Sequence, residues 1–573
     1  MAGSHLRIFQ LICWLFYFVQ CDSTAQRRFY AKETHRIAVN DDNTTPGQKR
    51  FAFAAYYGDH MVLQKSPQRA VIWGYNPYVY DRISVSVAKQ TAQALVDTHG
   101  LWRVILDPVD EPGPYTITAR GSAGEITLTD VLFGDVWICS GQSNMQFTMA
   151  QIFNSTKEIQ EANNYPNIRV FAVNLLASAK PLNDLNAPNS IKEPWSVASN
   201  ETIGGGAWQN TFSAVCWLYG KYLYQKLGYP VGLINDCYGG TPVEAWSSPD
   251  ALAKCGMDTL DNRPVELDRS YLMGELVYDE FGNVRGPPTP SVLWNSMIHP
   301  LLNMTIYGAI WYQGENNAPK PNTYNCTFPS MISDWRAKFH SSHGQNDPTF
   351  PFGFEMLGAY QPSMTVQSGF PDLRWHQTAD FGFVPNKKME NVFMSNAMDL
   401  PDFTSPYGPI HTQDKQDVAQ RLVQGSLAVA YHHKDIVYQA PLPTGYKVDT
   451  ETQTLELVYN NGSEALQLKN NVGFEVCCSY DGNSICSSHS WWLPASVVKV
   501  TRSSVLVTTA VCEPQDVVGI RYAWKVSPCT FKNCAIYSSL SFLPASPFQF
   551  TSGKFNKDGS YIIDRSKPHL IGY

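Results

Sequence analysis

The chain changes its hydrophobic pattern twice. From Phe51 to about Leu128, and again from about Asp435 onward, short β-type runs are separated by Gly, Pro and Asn turns. The runs are 70–73, 82–87, 115–119, 455–459, 505–508 and 517–524. Short strands between turn residues are typical of antiparallel sheets. We therefore predict an N-terminal β-sandwich module over 51–128 and a C-terminal β module over 435–555.

Between these modules, over 129–434, apolar β-type runs alternate with helical patterns. The apolar runs are 131–139, 168–173, 231–235, 306–312, 352–357 and 392–398. The helical patterns cover 213–227, with Ser213 as N-cap and Gly228 just past the end, and 416–431. Continuously apolar strands that alternate with helices indicate an α/β domain, a parallel sheet flanked by helices on both faces. The Pro/Gly-rich stretch 261–290 is predicted to be a loop insertion.

The N-terminus predicts the compartment. Residues 1–25 carry Arg7, an apolar run over 8–19 broken only by Gln10, and then small and polar residues, the pattern of a secretory signal peptide. A buried helix or an uncleaved anchor is the alternative, but the run is shorter than the roughly 20 apolar residues of a membrane span, and no later segment is longer. We expect a mature chain without a span, in the secretory pathway, either lysosomal or secreted.

Sequons and cysteines agree with that compartment. Six Asn-x-Ser/Thr sequons predict glycosylation; they are Asn43, Asn154, Asn200, Asn303, Asn325 and Asn461. Of the 13 cysteines, Cys13 and Cys21 lie in or beside the signal, and the odd remainder implies at least one free thiol. Six others crowd between Cys477 and Cys534, which favours disulfides in an oxidising compartment. Zinc is the competing interpretation, but no C-x2-C pair supports it.

The charge balance disfavours polyanionic partners. The chain has 43 Lys and Arg against 50 Asp and Glu, for a net charge of -7. Nucleic-acid-binding domains carry a basic footprint, and anionic membranes attract basic surfaces. We expect no nucleic-acid partner.

Reactive side chains follow the apolar strands, at the end of the sheet where ligands bind in open α/β folds. The run 131–139 leads through Gly141 to Ser143, which would stand at a strand-to-helix junction. A serine there can be an exposed nucleophile, although a lone Ser after a strand is more often only an N-cap. The later strands decide between these interpretations.

Three further strand ends supply the partners of a nucleophile. The strand 231–235 is followed by Gly239-Gly240, and 306–312 by the polar segment Gln313–Asn317, which includes Glu315. The last strand precedes two carboxylates and a histidine: Asp399, Asp402 and His411. A nucleophile, oxyanion donors, a base and a carboxylate are the set that acyl transfer requires.

Several long strings resemble a known family. They are 133–145 (FGDVWICSGQSNM), 239–247 (GGTPVEAWS), 294–300 (WNSMIHP), 311–315 (WYQGE) and 374–382 (RWHQTADFG). In this order they resemble the sialate O-acetylesterase family of SGNH, or GDSL-like, hydrolases, from about Met61 to about Pro547. The resemblance implies an SGNH-type sheet and a serine esterase that removes O-acetyl groups from sialic acids or sialoglycans.

The resemblance also implies roles for individual residues. Ser143 is the nucleophile and His411 the base, and the oxyanion hole comprises Gly240, Asn317 and the Ser143 N–H. Simpler family members carry an Asp three residues before the histidine, where this chain has Gly408. Asp399 is then the first candidate for the acid, with Asp402 and Glu315 behind it, and Gln313 as a supporting residue. No metal or organic cofactor is required.

Two other functions stay open. The same sequence strings are compatible with an esterase for another acetylated glycan, because they indicate acetyl transfer but do not identify the sugar. A glycan-binding protein with a decayed esterase site is the second alternative. In either case Trp246, Trp294, Trp311 and Trp375 could stack on a sugar or pack in the core.

Overall fold

The computed structural model describes most of the chain. The described residues are 50–205, 212–257, 269–273, 277–278, 285–479, 486, 491–513, 515–551 and 560–569. The predicted signal peptide lies outside them, as does much of the predicted insertion over 261–290. None of the helices in these ranges has the length and apolarity needed to cross a bilayer.

The N-terminal part is β-rich, as the sequence predicts. Its strands are β1 (Ala52–Phe53), β2 (Val62–Gln64), β3 (Val71–Tyr75), β4 (Arg82–Val87), β5 (Gln90–Leu95), β6 (Leu101–Ile105), β7 (Tyr115–Gly121) and β8 (Gly124–Gly141). β1, β3 and β6 form one antiparallel sheet. β4 pairs with β5 and β7, also antiparallel. Alternate positions of β4 are buried, which is the period-2 pattern of a half-buried strand.

Strand β8 connects this part to the central sheet. Its first half pairs antiparallel with β7, whereas its second half runs parallel to strands of the central sheet. The predicted boundary between 128 and 129 therefore lies inside one continuous strand of 18 residues. Because no linker separates the two parts, the division into modules stays a proposal about folding units.

The central sheet is mainly parallel, as predicted, with one antiparallel edge strand. Its other strands are β9 (Ile168–Val173), β10 (Ile191–Val197), β11 (Val231–Cys237), β12 (Gly308–Tyr312), β13 (Phe352–Met356) and β14 (Val392–Asn396). The strand order is β10-β9-β11-β8-β12-β13-β14. Only the edge strand β10 is antiparallel to its neighbour along this path. The carboxyl ends of β8, β11, β12 and β14 thus lie along one edge of the sheet.

Helices flank both faces of this sheet. They are α1 (Ser143–Gln146), α2 (Ser155–Glu161), α3 (Asn200–Gly204), α4 (Ala214–Leu227), α5 (Pro249–Ala253), α6 (Arg269–Met273), α7 (Tyr324–His343), α8 (Phe370–His376) and α9 (Lys415–Val429). Short 3-10 turns cover Met149–Gln151, Ala162–Asn164, Val243–Trp246, His299–Leu301, Glu315–Asn317, Pro321–Thr323, Asn460–Gly462 and Ala510–Cys512, and a π turn covers Trp294–Ile298. Ser213 caps α4 through its side chain and Gly228 ends it with a φ of 74°, as predicted.

The strand periodicity explains why helices cover both faces. On β13, Phe352 and Phe354 point to one face, where Phe328 and Trp335 of α7 pack on them. Gly353 points to the other face, in register with Phe393 of β14. The backbone of α9 approaches Phe393 closely at Gly425. Successive residues of a strand alternate in direction, so α7 and α9 lie on opposite faces.

The C-terminal part has its own core. Its strands are β15 (Pro443–Asp449), β16 (Thr454–Tyr459), β17 (Leu466–Leu468), β18 (Phe474–Ser479), β19 (Trp491–Ala495), β20 (Val497–Val500), β21 (Ser504–Thr508), β22 (Asp516–Tyr522), β23 (Ile536–Ser538), β24 (Phe548–Thr551) and β25 (Ser560–Ile562). Trp375 of α8 joins this core, where its ring meets Trp524 and Phe550. The other three candidate tryptophans are also buried, so all four pack in cores and none is exposed to stack on a sugar.

Five disulfides link the cysteines that follow the signal segment, and Cys237 is left as a buried free thiol. The pairs are Cys139–Cys216, Cys255–Cys326, Cys477–Cys486, Cys478–Cys512 and Cys529–Cys534. All six C-terminal cysteines are therefore paired, which confirms disulfides over zinc for that cluster. The Cys139–Cys216 bond joins β8 to α4 inside the main core.

Two disulfides that close loops of similar length provide a test of the core. Cys139–Cys216 and Cys255–Cys326 span 77 and 71 residues, and loop entropy alone gives each about 4 kcal/mol. We expect the Cys139→Ala/Cys216→Ala variant to lose more stability than Cys255→Ala/Cys326→Ala, because only the first pair is fully buried. Chemical denaturation of both double variants measures the difference. Equal losses would contradict a packing role for the first bond.

Candidate active site

Ser143 is held at a sharp turn where β8 ends. Gly141 adopts a φ of +136°, and a Cβ at this position would lie 2.2 Å from the carbonyl oxygen of Tyr312. Only glycine lets β8 end this close to β12. The next backbone N–H, at Gln142, donates to the same Tyr312 carbonyl at 2.9 Å. Ser143 then opens the single turn of α1, half-exposed above the edge of the sheet.

His411 lies within hydrogen-bond distance of Ser143. Its Nε2 is 2.9 Å from Ser143 Oγ, and its Nδ1 is 2.7 Å from the backbone carbonyl oxygen of Tyr407. A carbonyl oxygen only accepts, so Nδ1 carries the proton and Nε2 is the free lone pair. Ser143 therefore donates its hydroxyl proton to Nε2. This is the tautomer in which a histidine can act as a base toward a serine.

The surroundings keep His411 neutral. Burial lowers its pKa to about 4; the Tyr407 carbonyl opposes the shift and the ammonium of Lys415 adds to it. The ring stacks on Phe147, with centroids 5.9 Å apart and planes 19° from parallel. A depressed pKa means that the unprotonated base persists well below the usual histidine range.

The structure contradicts the prediction that Asp399 orients His411. Asp399 is fully buried and pairs with Arg421, whose Nη1 lies 2.7 Å from Oδ1. Its Oδ2 accepts from Tyr537 OH at 2.9 Å. The Asp399 carboxylate is therefore occupied by Arg421 and Tyr537, and His411 Nδ1 is occupied by the Tyr407 carbonyl. The two residues predicted to pair do not contact each other through these groups. The Asp399 carboxylate is buried and therefore pairs with a buried cation rather than with the histidine. The spacing of residues along the chain could not reveal this ion pair.

The other two candidate acids support the site without contacting the ring nitrogens. Asp402 Oδ2 accepts from the backbone N–H of Gln413 at 3.1 Å, which fixes the loop that carries His411. Glu315 Oε1 accepts from Asn144 Nδ2 at 2.6 Å. Burial raises the pKa of Glu315. Asp402 thus stabilises the loop of His411, and Glu315 holds the side chain of Asn144.

The predicted glycine pair approaches Ser143, because a Cβ on Gly239 would lie 3.4 Å from the Cβ of Ser143. Gly239 N–H donates to Gln146 Oε1 of α1 at 2.8 Å, which ties the glycine pair to the turn of Ser143. Gly240 has a φ of +70°, which favours glycine. Within the described ranges, neither the Gly240 N–H nor the Ser143 N–H has an acceptor. Two unpaired backbone donors next to a serine can bind a developing oxyanion.

Asn317 is oriented by its neighbours. Its Oδ1 accepts from Gln313 Nε2 at 2.7 Å and from the Val243 N–H at 3.0 Å, so Nδ2 must face the opposite way. One hydrogen of Nδ2 donates to Glu244 Oε2 at 2.9 Å. Gln313 is itself fixed, since its Oε1 accepts from Tyr324 OH at 2.9 Å. Among the described residues, the second hydrogen of Asn317 Nδ2 has no acceptor, and Gln313 holds the orientation of the amide.

Open clefts flank the 3-10 turns that follow β12. One, of about 590 Å³, is lined by Glu315, Tyr360, Phe370, Asp372 and Ile410, the residue before His411. The other, of about 700 Å³, is lined by Glu244, Asn316, Asn317 and Lys320 among others. Both volumes are those of small-molecule sites. Ligand-sized space therefore lies at Ile410, the residue before His411, and at Asn317.

The sequons differ in their surroundings. Asn154 and Asn200 are exposed and Asn303 is half-buried. Asn325 lies in α7 and its Nδ2, the atom a glycan would modify, donates to the buried carboxylate of Asp380 at 2.6 Å. A glycan on Asn325 would replace this hydrogen bond, and glycosylation of the sequons stays a prediction. Asn43 and the side chain of Asn461 lie outside the described residues. In the part of the chain that is described, no cluster of three His, Cys, Asp or Glu side chains could hold a metal.

Sequence reasoning missed Tyr407, Asn144 and Lys415. The Tyr407 carbonyl is a backbone group, and the sequence holds no signal for it. Asn144 follows Ser143 directly, and Lys415 lies four residues after His411. A lysine in the first turn of a helix that packs on the sheet is unusual, because charged side chains are seldom fully buried. The position of Lys415 in that first turn was the signal in the sequence that could have identified it as a site residue.

The geometry defines a class of protein. A serine hydroxyl bonded to a neutral histidine, beside unpaired backbone donors at the strand ends of an α/β sheet, is the arrangement of serine hydrolases. Residues 444–552 match the family model of the sialate O-acetylesterase C-terminal domain. The sialate O-acetylesterase of Homo sapiens is 43% identical over 87% of this chain and 92% of its own length. That of Mus musculus is 42% identical over 87% of this chain and 94% of its own.

A solved structure has a similar fold. A carbohydrate acetylesterase from Xanthomonas citri aligns with a TM-score of 0.69 and 26% identity, over 87% of this chain and 99% of its own. The chain belongs to the sialate O-acetylesterase family.

The pairing of Asp399 with Arg421 predicts a loss of stability without a loss of catalysis. Asp399→Asn leaves the buried Arg421 guanidinium with only the more distant Asp417 carboxylate, 3.7 Å away, and breaking a buried pair costs about 3 kcal/mol or more. Turnover per folded molecule should stay within about tenfold of the parent, or about 1.4 kcal/mol. Glu475→Gln, which breaks the equally buried Arg521–Glu475 pair, is the matched control. A folded Asp399→Asn protein with about 10⁴-fold slower turnover would restore Asp399 as the acid.

The lowered pKa of His411 predicts activity in acid. The base must be neutral to act, and with a pKa of about 4 it stays neutral until the pH approaches that value. The acid limb of kcat/KM, which reports groups of the free enzyme, should therefore lie below the ordinary histidine value of about 6.5. A pH series with an aryl acetate measures it. A limb at or above pH 6.5 would be inconsistent with a buried, neutral His411.

Proposed function

We propose that this protein is a serine esterase that hydrolyses O-acetyl esters of sialic acids, with Ser143 as nucleophile and His411 as general base. The observation that carries the proposal is the 2.9 Å contact between Ser143 Oγ and His411 Nε2, in a chain 43% identical to a human sialate O-acetylesterase. An arrangement this close needs no rearrangement before proton transfer.

The reaction follows from the hydrogen bonds. Ser143 Oγ attacks the acetyl carbonyl carbon as its proton passes to His411 Nε2. The tetrahedral intermediate expels the sugar oxygen, which takes the proton from Nε2 and leaves an acetyl group on Ser143. Water then attacks the acetyl carbonyl, gives a proton to Nε2, and acetate departs as that proton returns to Ser143 Oγ.

The oxyanion hole would comprise the N–H groups of Ser143 and Gly240 and the free hydrogen of Asn317 Nδ2. In support, Asn317 cannot rotate without breaking its bonds to Gln313, Val243 and Glu244. Donors fixed before the reaction stabilise the intermediate without reorganisation. The Gln313–Asn317 contact thus serves catalysis indirectly.

The site would work as a Ser143/His411 dyad in which a backbone carbonyl replaces the usual carboxylate. The Tyr407 carbonyl holds the tautomer and orientation, as an acid would. It supplies only a partial negative charge, so it stabilises the imidazolium less than an ionised Asp does. This accords with the low pKa of His411.

The sheet is further proposed to be of the SGNH type, with an N-terminal module over 51–128, a catalytic domain over 129–434 and a C-terminal module over 435–555. The protein is proposed to enter the secretory pathway through a cleaved segment over 1–25, and to act in lysosomes or outside the cell. Five disulfides support an oxidising compartment.

An esterase for another acetylated glycan is the second candidate, and the likeness to a bacterial carbohydrate acetylesterase favours it. Acetate release from O-acetylated sialic acids, compared with release from acetylated plant polysaccharides, decides between the two. We expect faster release from the sialic acids. Preference for the polysaccharides would replace the first proposal with the second, and binding without any release would indicate a glycan-binding protein.

Ser143→Ala tests the mechanism. Loss of a nucleophile lowers turnover by on the order of 10⁶-fold, and the fold should survive because the hydroxyl lies half-exposed above the sheet. Acetate release and circular dichroism measure the two effects, and a serine-reactive phosphonate should label Ser143 in the parent alone. Ser196→Ala, which removes a half-exposed hydroxyl from the edge strand β10, is a matched control that should still be labelled. Activity above a few per cent in Ser143→Ala would refute the assignment.

A further inference from the structure

Lys415 is a buried cation next to the Ser143–His411 pair. It opens α9, its side chain is fully buried, and its Nζ donates to Asn144 Oδ1 at 2.6 Å. The same nitrogen lies 4.8 Å from the ring centroid of Phe147 and 5.2 Å from that of Tyr312. Phe147 in turn stacks on His411. The ammonium group is therefore enclosed by residues that contact the reacting pair.

Lys415 determines which way the Asn144 amide faces. An ammonium group only donates, so it fixes Oδ1 of Asn144 toward itself and Nδ2 away from it. Nδ2 then donates to Glu315 Oε1 at 2.6 Å and to the backbone carbonyl of Ile410 at 3.0 Å. Without Lys415, Oδ1 would lose this donor in a buried site, and the amide would keep only the two contacts of Nδ2 to hold it in place.

The Asn144 amide spans the two halves of the site. Asn144 follows Ser143 in the chain, and Ile410 precedes His411. One side chain therefore connects the turn that carries the serine to the loop that carries the histidine. Its orientation controls the distance between Ser143 Oγ and His411 Nε2, and misplacement by about 1 Å can lower a rate about 10²-fold.

Charged groups surround Lys415. Burial lowers its pKa to about 7, while the carboxyl groups that face it oppose that shift. They are Glu315, Glu355, Asp414 and Asp402. On the other side its positive charge lowers the pKa of His411. At acidic pH the lysine is protonated and this repulsion is complete.

We propose that Lys415 is a positioning residue of the esterase reaction, which holds the Asn144 amide so that it ties the Ser143 turn to the Ile410 carbonyl beside His411. The inference rests on the proposed function, because it assigns Lys415 a part in the same reaction. Lys415 acts through Asn144 and through its charge on His411, and does not touch the reacting atoms.

Two substitutions separate the effect of the hydrogen bond that Lys415 donates from the effect of its positive charge. Lys415→Met removes both, and we expect kcat to fall about 10²-fold with KM little changed. Lys415→Gln keeps an N–H donor for Asn144 Oδ1, and we expect it to recover at least tenfold of that loss. Loss of the positive charge should move the acid limb of kcat/KM upward by about one pH unit in both variants.

Lys221→Met is the matched control. Lys221 is also a buried lysine, paired with Glu158 and Glu161 on α2, and its loss should lower the melting temperature without moving the acid limb. An unmoved acid limb in a folded Lys415→Gln protein would overturn the proposal even if Lys415→Met failed to fold. So would a kcat loss in Lys415→Met that Lys415→Gln does not recover.

These outcomes are distinct from failure of the proposed function. If the parent protein released no acetate, or if Ser143→Ala remained active, the esterase assignment would fall and Lys415 would lose its role with it. A parent that depends on Ser143, together with a Lys415→Met variant of unchanged kcat and unchanged acid limb, would overturn only the inference about Lys415.

Discussion

The close approach of β8 to β12 at Gly141 is the constraint on which the site depends. Because no Cβ fits between this backbone and the Tyr312 carbonyl, the two central strands end side by side and the chain turns at once into Ser143. The polar segment after β12 then lies next to that turn. The serine, the glycine pair and Asn317 come together because neighbouring parallel strands end at one edge.

Buried charge organises the side of the site that carries His411. Asp399 and Arg421 neutralise each other at the end of β14, and Tyr537 binds the same carboxylate from the C-terminal part. The pair thus joins β14, α9 and the C-terminal β region at one point. Buried ion pairs contribute little net stability, yet breaking one is strongly destabilising. The carboxylate that the sequence favoured as the triad acid therefore has a structural role.

The architecture could be predicted from sequence because it is encoded in local periodicity. Apolar runs such as 168–173 and 231–235 became β9 and β11, and the N-cap and final glycine of α4 are as expected. Local signals also identified the two sides of the site, since Ser143 follows β8 and His411 lies in the segment between β14 and α9. The boundary at 128/129 could not be located, because β8 runs through it without a turn or a linker.

By itself the sequence determined six strands of the central sheet, the two helices at 213–227 and 416–431, the family and the residues at each strand end, since these depend on neighbours along the chain. Only the tertiary structure decided which groups pair. Asp399 faces Arg421 rather than His411, a backbone carbonyl of Tyr407 orients the histidine, and Lys415 reaches Asn144 across 271 positions of sequence. The physical reason is that hydrogen bonds and ion pairs depend on distance in space. That distance is set by strand register and helix packing, which no local pattern contains.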